Sequence, residues 1–590
     1  MEWYIFFFLS LAVFISAIIW SVSLNRFKHK RGRIIDAPKV LFVGIVLSSV
    51  LVFFPIYYNE FRGNIGSFIE TLMLSLHNTI RLFAIDSDFS IIGDNIGFLD
   101  QWFKASYTIL SLILFIAAPL FTFGFVLSFF KNLSSYKKYI FKYNCDVYIF
   151  SKLNERSLAL AQSLVSNNNK RVIVFAGVNR DNNVNIDELI DNAYVIGAIC
   201  FKKEINSINF SRFHSKHKEM IFFICGDNDS ENIEESLTLI SNYRDRNNTS
   251  LYVFSNSIEC ELIINNTDVG RLKVRRIDEI RSLIYRNLYD SGFEIFNSAY
   301  KTEDNSKKIT AVIIGMGRYG TEMLKALSWF CQMDGYIAEI NVFDKAENAE
   351  SVFESLCPEL MDEKHNGNFG VEGEAKYKIQ FYPGMDIKSS DFDNCIFSLR
   401  NVTYVFVALG DDELNISASI KLRSLFERIG VHPRIQAVVY SSKKKKTLDG
   451  ISNFKNQKYD IEFIGDLETS YSEDVILGSD VEEAALERHK KWGAEEDFWL
   501  YEYNYRSSVA SAIHKKMKIE CGIPGVDKDV SDRTEDEKHS IRMLEHCRWN
   551  AYMRSEGYCY SPVRNDLAKT HTDLVPFGSL SLEKQKIDDD

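Results

Sequence analysis

The sequence predicts a multidomain protein in which an N-terminal helical membrane region precedes two tandem α/β units and a mainly α-helical C-terminal module. Three observations carry this reading. Residues 1–135 are strongly apolar and hold three stretches of membrane-spanning length. From Asn144 short β-rich runs alternate with helical ones, and the whole alternation occurs twice. From about residue 480 the β-rhythm stops and an aromatic-rich helical pattern replaces it. A chain of 590 residues exceeds what one core can organise, and the boundaries fall at 1–135, 145–300, 308–478 and 485–590.

The three apolar stretches are Trp3–Ser21, Val40–Tyr57 and Tyr107–Phe130. The first lacks the positive N-region of a cleaved signal. Arg26, Lys28, Lys30, Arg31, Arg33 and Lys39 separate the first two stretches, and Lys131, Lys137, Lys138 and Lys142 follow the third. The positive-inside rule then expects a multi-pass inner-membrane protein, N-terminus outside and C-terminal domains cytoplasmic. Between the second and third stretches, Ser67–Ile85 is apolar at helical spacing but carries Glu70, His77 and Arg81. A full span there would break the charge pattern. A re-entrant pore helix fits, with these three residues as pore candidates, and so does an external amphipathic helix. No T-V-G-Y-G filter is present, so potassium selectivity is not expected.

The net charge is −11, which argues against a nucleic-acid partner. The basic run Lys443–Lys446 reads as a solvated surface. The ten cysteines are scattered without a C-x-x-C pair, so neither a disulfide framework nor a thiolate metal site is expected.

The second α/β unit has the clearer signals. A β-run at Lys308–Ile314 leads into Gly315-Met-Gly317-Arg318-Tyr-Gly320, which opens a helix. The next β-run ends at Asp344, 24 residues beyond Gly320. Such glycines let a pyrophosphate approach a helix N-terminus, and a carboxylate at that place accepts from a ribose hydroxyl. Later, Gly410-Asp411-Asp412-Glu413-Leu414-Asn415 opens another helix. Asp411 and Asn415 serve there either a ligand or the helix cap. The first unit has a matching Gly226-Asp227-Asn228-Asp229, with an Asn at 232, which points to internal duplication. Its phosphate loop departs, because Ser151-Lys152-Leu153-Asn154-Glu155-Arg156 replaces the glycines. This copy either binds another group through Ser151, Asn154 and Arg156 or supports the assembly, and the missing glycines favour support.

These features resemble the regulator-of-potassium-conductance (RCK) domains, also called TrkA-N domains, over residues 145–475. The resemblance implies tandem Rossmann-like domains behind membrane helices. It implies a nucleotide or dinucleotide, NAD-like or signalling, at Gly315, Gly317, Arg318, Gly320, Asp344, Gly410, Asp411 and Asn415. It also implies a dimer-based homo-oligomer, a tetramer, forming a gating ring.

The C-terminal stretches Trp499-Leu-Tyr-Glu-Tyr-Asn-Tyr505-Arg506-Ser-Ser508, Glu545-His546-Cys-Arg548-Trp549, Gly557-Tyr558-Cys-Tyr560 and Lys569-Thr-His571 resemble the prokaryotic ryanodine-receptor (RyR) repeat. Trp499, Tyr505, Trp549, Tyr558 and Tyr560 are candidates to stack on a base. Arg506, Ser508, His546, Arg548, Lys569 and His571 are candidates to contact its polar groups. Trp499 and Trp549 suit a small helical core equally well. No His spacing supports a metal.

Together the resemblances imply a ligand-gated ion channel of the inner membrane, opened or closed by a nucleotide messenger. The resemblance of the C-terminal module further implies an antiphage-defence effector role. Membrane lipid, a small nucleotide and further copies of the chain are the implied partners. A non-conducting nucleotide-sensing subunit or scaffold of a cation transporter is a second class that fits. A membrane-tethered NAD-dependent oxidoreductase is a third, but no nucleophile elbow, P-loop lysine or paired-carboxylate motif accompanies the fold, so an enzyme is not expected.

Overall fold

The computed structural model describes residues 2–26, 37–60, 65–84, 86, 88–179, 186–303, 305–451 and 459–587. The chain divides into two compact units, Met1–Lys138 and Tyr139–Asp590.

The first unit is helical: α1 (Glu2–Arg26), α2 (Ala37–Glu60), α3 (Ile65–Phe83), α4 (Ser90–Asn95) and α5 (Gln101–Ile140). Three segments are long and apolar enough to cross a membrane, Glu2–Ser21, Val40–Tyr58 and Gln101–Phe123. The third begins earlier than its hydropathy predicts, because the Asp100 carboxylate accepts the Phe103 N–H at 3.1 Å and starts the helix there. The helix then runs on to Ile140, so the basic stretch after the third span is largely helical. Small residues bring α1 and α2 together: the Ser10 hydroxyl donates to Ser48 O at 3.0 Å and the Ser48 hydroxyl to Ser10 O at 3.1 Å. Trp3, Phe7, Phe53, Tyr107 and Leu114 form the buried centre of this unit.

Helix α3 turns its polar side inward. Thr71, Ser75, Asn78 and Thr79 are buried, and the Asn78 amide donates to the Tyr57 hydroxyl at 2.5 Å. Glu70 and His77 are exposed on the opposite side, and Arg81 pairs with Asp86 at 3.3 Å. Ile85, the last residue of the expected pore segment, lies outside the described residues, as do Lys28, Lys30, Arg31 and Arg33.

The second unit contains two parallel sheets. In the first, β1 (Val147–Phe150), β2 (Val172–Phe175), β3 (Ile199–Cys200), β4 (Met220–Ile224), β5 (Thr249–Phe254) and β6 (Lys273–Ile277) lie in the order β3-β2-β1-β4-β5-β6. The second comprises β8 (Lys307–Ile314), β9 (Tyr336–Phe343), β10 (Tyr377–Tyr382), β11 (Tyr404–Val407), β12 (Arg434–Val438) and β13 (Ile461–Ile464). Its order is β10-β9-β8-β11-β12-β13, with a short β7 (Tyr300–Lys301) antiparallel to β8. The two orders are the same, that of doubly wound α/β folds. The central strands are continuous apolar runs because helices cover both faces of each sheet.

The two modules exchange covering helices. Ile280, Ile284 and Leu288, which follow the first sheet in sequence, pack into the core of the second. Tyr471, Val475 and Ile476, which follow the second sheet, pack into the core of the first. Glu473 fixes the second exchange by accepting both Arg171 terminal nitrogens, at 2.6 and 2.8 Å.

Beyond residue 478, helix Glu535–Ser555 docks on helix Arg318–Phe330, where Trp329 meets Tyr552 edge-on, and helix Glu502–Glu520 packs against it and against helix Ser479–His489. The buried Arg554 guanidinium donates to the buried Glu374 carboxylate at 2.7 Å, joining this module to the loop before β10. This C-terminal part therefore shares one core with the second sheet.

Candidate functional site

The Gly315–Gly320 loop lies at the carboxyl end of β8, beside β11, where the strand order reverses. Two of the three glycines are required, for different reasons. Gly315 has φ +95, and a Cβ on it would stand 2.4 Å from Ala408 O. A Cβ on Gly320 would stand 1.9 Å from Gly315 O, so only glycine lets the helix approach the strand this closely. A Cβ on Gly317 would meet nothing within 4 Å; its place borders a cavity. Gly317 also opens helix Arg318–Phe330 without a side-chain cap, which leaves first-turn N–H donors for a ligand.

Asp344 braces this loop. Its carboxylate accepts the Met316 N–H at 2.6 Å and the Ala346 N–H at 2.7 Å. The cavity in front measures about 710 Å³, within the range of small-molecule sites. Gly410 borders it with φ +83, and Arg318, Lys345 and Lys388 bring positive charge from the second module. Arg156 and Glu279 line it from the first module, so both α/β modules wall one cavity. Arg318 reaches across to Glu279 at 3.7 Å and remains half-exposed. Backbone N–H donation from Lys388, then Lys345 at 3.3 Å, hold the Asp386 carboxyl below its ordinary value.

Two expected ligand contacts have other work. Asp411 caps its helix by accepting the Leu414 N–H at 3.0 Å. Asn415 is fully buried; its Oδ1 accepts from Leu409 N at 2.6 Å and its amide donates to Val438 O at 2.7 Å. Asn232 does the same in the first module, accepting from Gly226 N at 3.0 Å and donating to Phe254 O at 2.8 Å. The repeats therefore correspond at Asn232 and Asn415, and Gly226 matches Leu409. The paired Gly-Asp dipeptides read from sequence are one residue out of register.

In the first module the corresponding loop is filled by its own side chains. Asn154 caps helix Glu155–Asn167 by accepting the Ser157 N–H at 2.8 Å and donates to Cys225 O at 2.8 Å. The buried Ser151 hydroxyl accepts the Cys225 N–H at 3.1 Å.

The C-terminal candidates separate into three groups. Ser508, His546, Arg548, Trp549 and His571 converge on a second cavity of about 270 Å³. His546 stacks on Trp549 at 5.8 Å, and His571 meets Trp549 edge-on at 5.0 Å. Burial, then Arg564, hold the His571 imidazole below its ordinary value. Trp499, Tyr505 and Arg506 lie elsewhere, against β6. Lys273 approaches the Trp499 ring at 4.3 Å, and Arg275 packs on Trp499 at 4.4 Å and on Tyr505 at 3.5 Å. Arg506 pairs with Glu502 and, at 3.0 Å, with Glu261. These three join the C-terminal module to the first sheet. Tyr558 is buried, the Tyr560 N–H donates to Glu359 at 2.7 Å, and Lys569 donates to Glu556 O at 2.8 Å, closing the preceding helix.

Sequence reasoning did not name Lys345, Lys388 and Tyr440 in the first cavity, nor Trp492, Arg564 and Lys584 in the second. The first set had a signal: Lys345 and Tyr440 fall just past the ends of β9 and β12, where ligands of doubly wound sheets bind. Among the described residues no group of His, Cys, Asp or Glu is arranged to hold a metal. No protein family matches the chain, and no curated protein matches it.

Proposed function

We propose that this protein is an ion channel of the bacterial inner membrane whose conductance is set by a nucleotide or dinucleotide bound on the cytoplasmic side. The observation that carries the reading is the Gly315–Gly320 cavity, with its uncapped helix N-terminus and four cationic side chains, at the switch point of a doubly wound sheet. Two modules of one strand order behind three apolar helices support the resemblance to tandem Rossmann-like RCK (TrkA-N) domains, and the C-terminal module is read as RyR-like.

Phosphates enter against Gly317 N–H and Arg318, and the ribose meets Asp344. Arg318 lies 3.7 Å from Glu279 of the first module, so an anion competes for it and alters the contact between modules. A ligand shifts gating only through such a difference between states. Assembly of copies around α3, with Glu70 and His77 on its exposed side, supplies the conduction path. Defence against phage by depolarisation is the role this assembly suits.

The test is current across a planar bilayer holding the full chain, with NAD, ATP and cyclic nucleotides added on the cytoplasmic side. Ligand-dependent unitary currents that vanish in Gly317→Asp are the expected result. Tight nucleotide binding with a silent bilayer would replace the channel by a non-conducting sensor subunit of a transporter.

A further inference from the structure

The C-terminal cavity has chemistry that packing alone does not require. Arg548 lies on its wall with a side chain only 2% exposed. Its Nη2 donates to Glu545 at 2.8 Å, while Nε and Nη1 are buried and have no hydrogen-bond partner among the described residues. Unmade bonds to a buried charged donor are costly, and native proteins satisfy such groups. Its carboxylate partner is already shared: Glu545 also takes Lys518 at 3.0 Å and Ser511 at 2.7 Å. Burial alone would raise the Glu545 carboxyl, but Arg548, Lys518 and Arg488 hold it well below the usual range, so it stays an acceptor committed to its partners.

The rest of the wall has the same sign. Arg488, Arg548, Arg564 and Lys584 line the cavity with Glu545 and Asp573; Arg564 is paired with Asp566 at 3.1 Å at the exposed rim, and Lys584 with Asp573. Aromatic surface lies beside the charge: Trp549 is held between His546 and His571, and Trp492, about half-exposed, stands at the opening. The Asp573 N–H donates to His571 Nδ1 at 3.1 Å, which places the proton of the neutral ring on Nε2 as a further donor. At about 270 Å³ the cavity is too small for a dinucleotide.

We infer that this cavity is a second ligand site, separate from the glycine loop, which takes a phosphorylated aromatic ligand of mononucleotide size. The phosphate engages the free Arg548 donors with Arg564 and Lys584, and the base stacks on Trp549 or Trp492. The inference stands whether or not the glycine loop binds a nucleotide.

The test is calorimetry of the full chain in nanodiscs with AMP and GMP, each paired with its nucleoside. At least one mononucleotide is expected to bind at least ten-fold more tightly than its nucleoside. Arg548→Gln should weaken it at least ten-fold. Because Arg548→Gln also strips a partner from buried Glu545 and can unfold the module, Arg564→Gln and Trp492→Ala, both at the exposed rim, are measured alongside and should each weaken binding about three-fold or more. Binding that survives these substitutions but disappears in Gly317→Asp belongs to the other cavity and overturns the inference. So does the absence of binding by both mononucleotides at about 1 mM. Failure of NAD or ATP to bind at the glycine loop would leave the result here untouched.

Discussion

The two α/β modules share a strand order and an asparagine that ties two strand ends, yet they differ at the loop after the first strand. In the second module that loop is glycine and open space; in the first, Ser151 and Asn154 occupy the same place and satisfy the backbone themselves. A side-chain cap and a bound anion are alternative answers to the same unpaired N–H groups. One module presents an open loop and the other fills the equivalent loop with its own side chains, while Arg156 lines its neighbour's cavity. The module with the filled loop forms part of the wall of the other's cavity.

Substitutions can break this comparison. The largest effect is expected from Gly320→Ala, whose Cβ would overlap Gly315 O; a loss of ~3 kcal/mol or more should appear in denaturant unfolding. Gly317→Ala, with open space around its Cβ, should cost under ~1 kcal/mol in the same assay. Acid comes next. Burial opposes ionisation of Glu374, yet His365 and Arg554 hold its carboxyl down at about 2. Its contribution is therefore complete above about pH 4.5 and is lost as the pH falls towards 2, by up to about 3 kcal/mol. Arg554→Met should flatten that part of the stability profile and loosen the C-terminal module from the second sheet rather than the first. Gly317→Asp should weaken nucleotide binding roughly 100-fold, about 2.7 kcal/mol, read by calorimetry. Asn232→Ala and Asn415→Ala should each cost about 2 kcal/mol, and similar losses in unfolding experiments would affirm that the two residues correspond. Ser151→Gly should have the smallest effect: one glycine does not rebuild the loop, and no nucleotide binding should appear in the first module.

The sequence made the glycine loop legible because its backbone demands are chemical: a positive φ and two close approaches admit no other residue. Asp344 was legible for its place, but not for its role as a brace, since a carboxylate reads the same whether it accepts from a ribose or from Met316 N–H. The one-residue slip at Gly226 arose because a Gly-Asp dipeptide is visible in the sequence, whereas the geometry that actually repeats lies in the backbone groups that Asn232 and Asn415 bond. The exchange of helices between modules left no trace, because the apolar periodicity of Tyr471, Val475 and Ile476 says that they are buried and not in which core. The aromatics of the C-terminal module divided for a similar reason. Trp549 faces a cavity and Trp499 faces Lys273 and Arg275, and composition cannot tell a ring that awaits a ligand from one already occupied by a cation.

That occupied ring has an optical consequence. An indole lying against an ammonium and a guanidinium emits differently from one in water. The chain has seven tryptophans, and Trp499 is the one held by charges from β6. Lifting the C-terminal module off the first sheet would change the surroundings of this fluorophore. Comparing the emission of the native chain with that of Trp499→Phe, as nucleotide is added, would then follow movement between modules in real time without any attached dye.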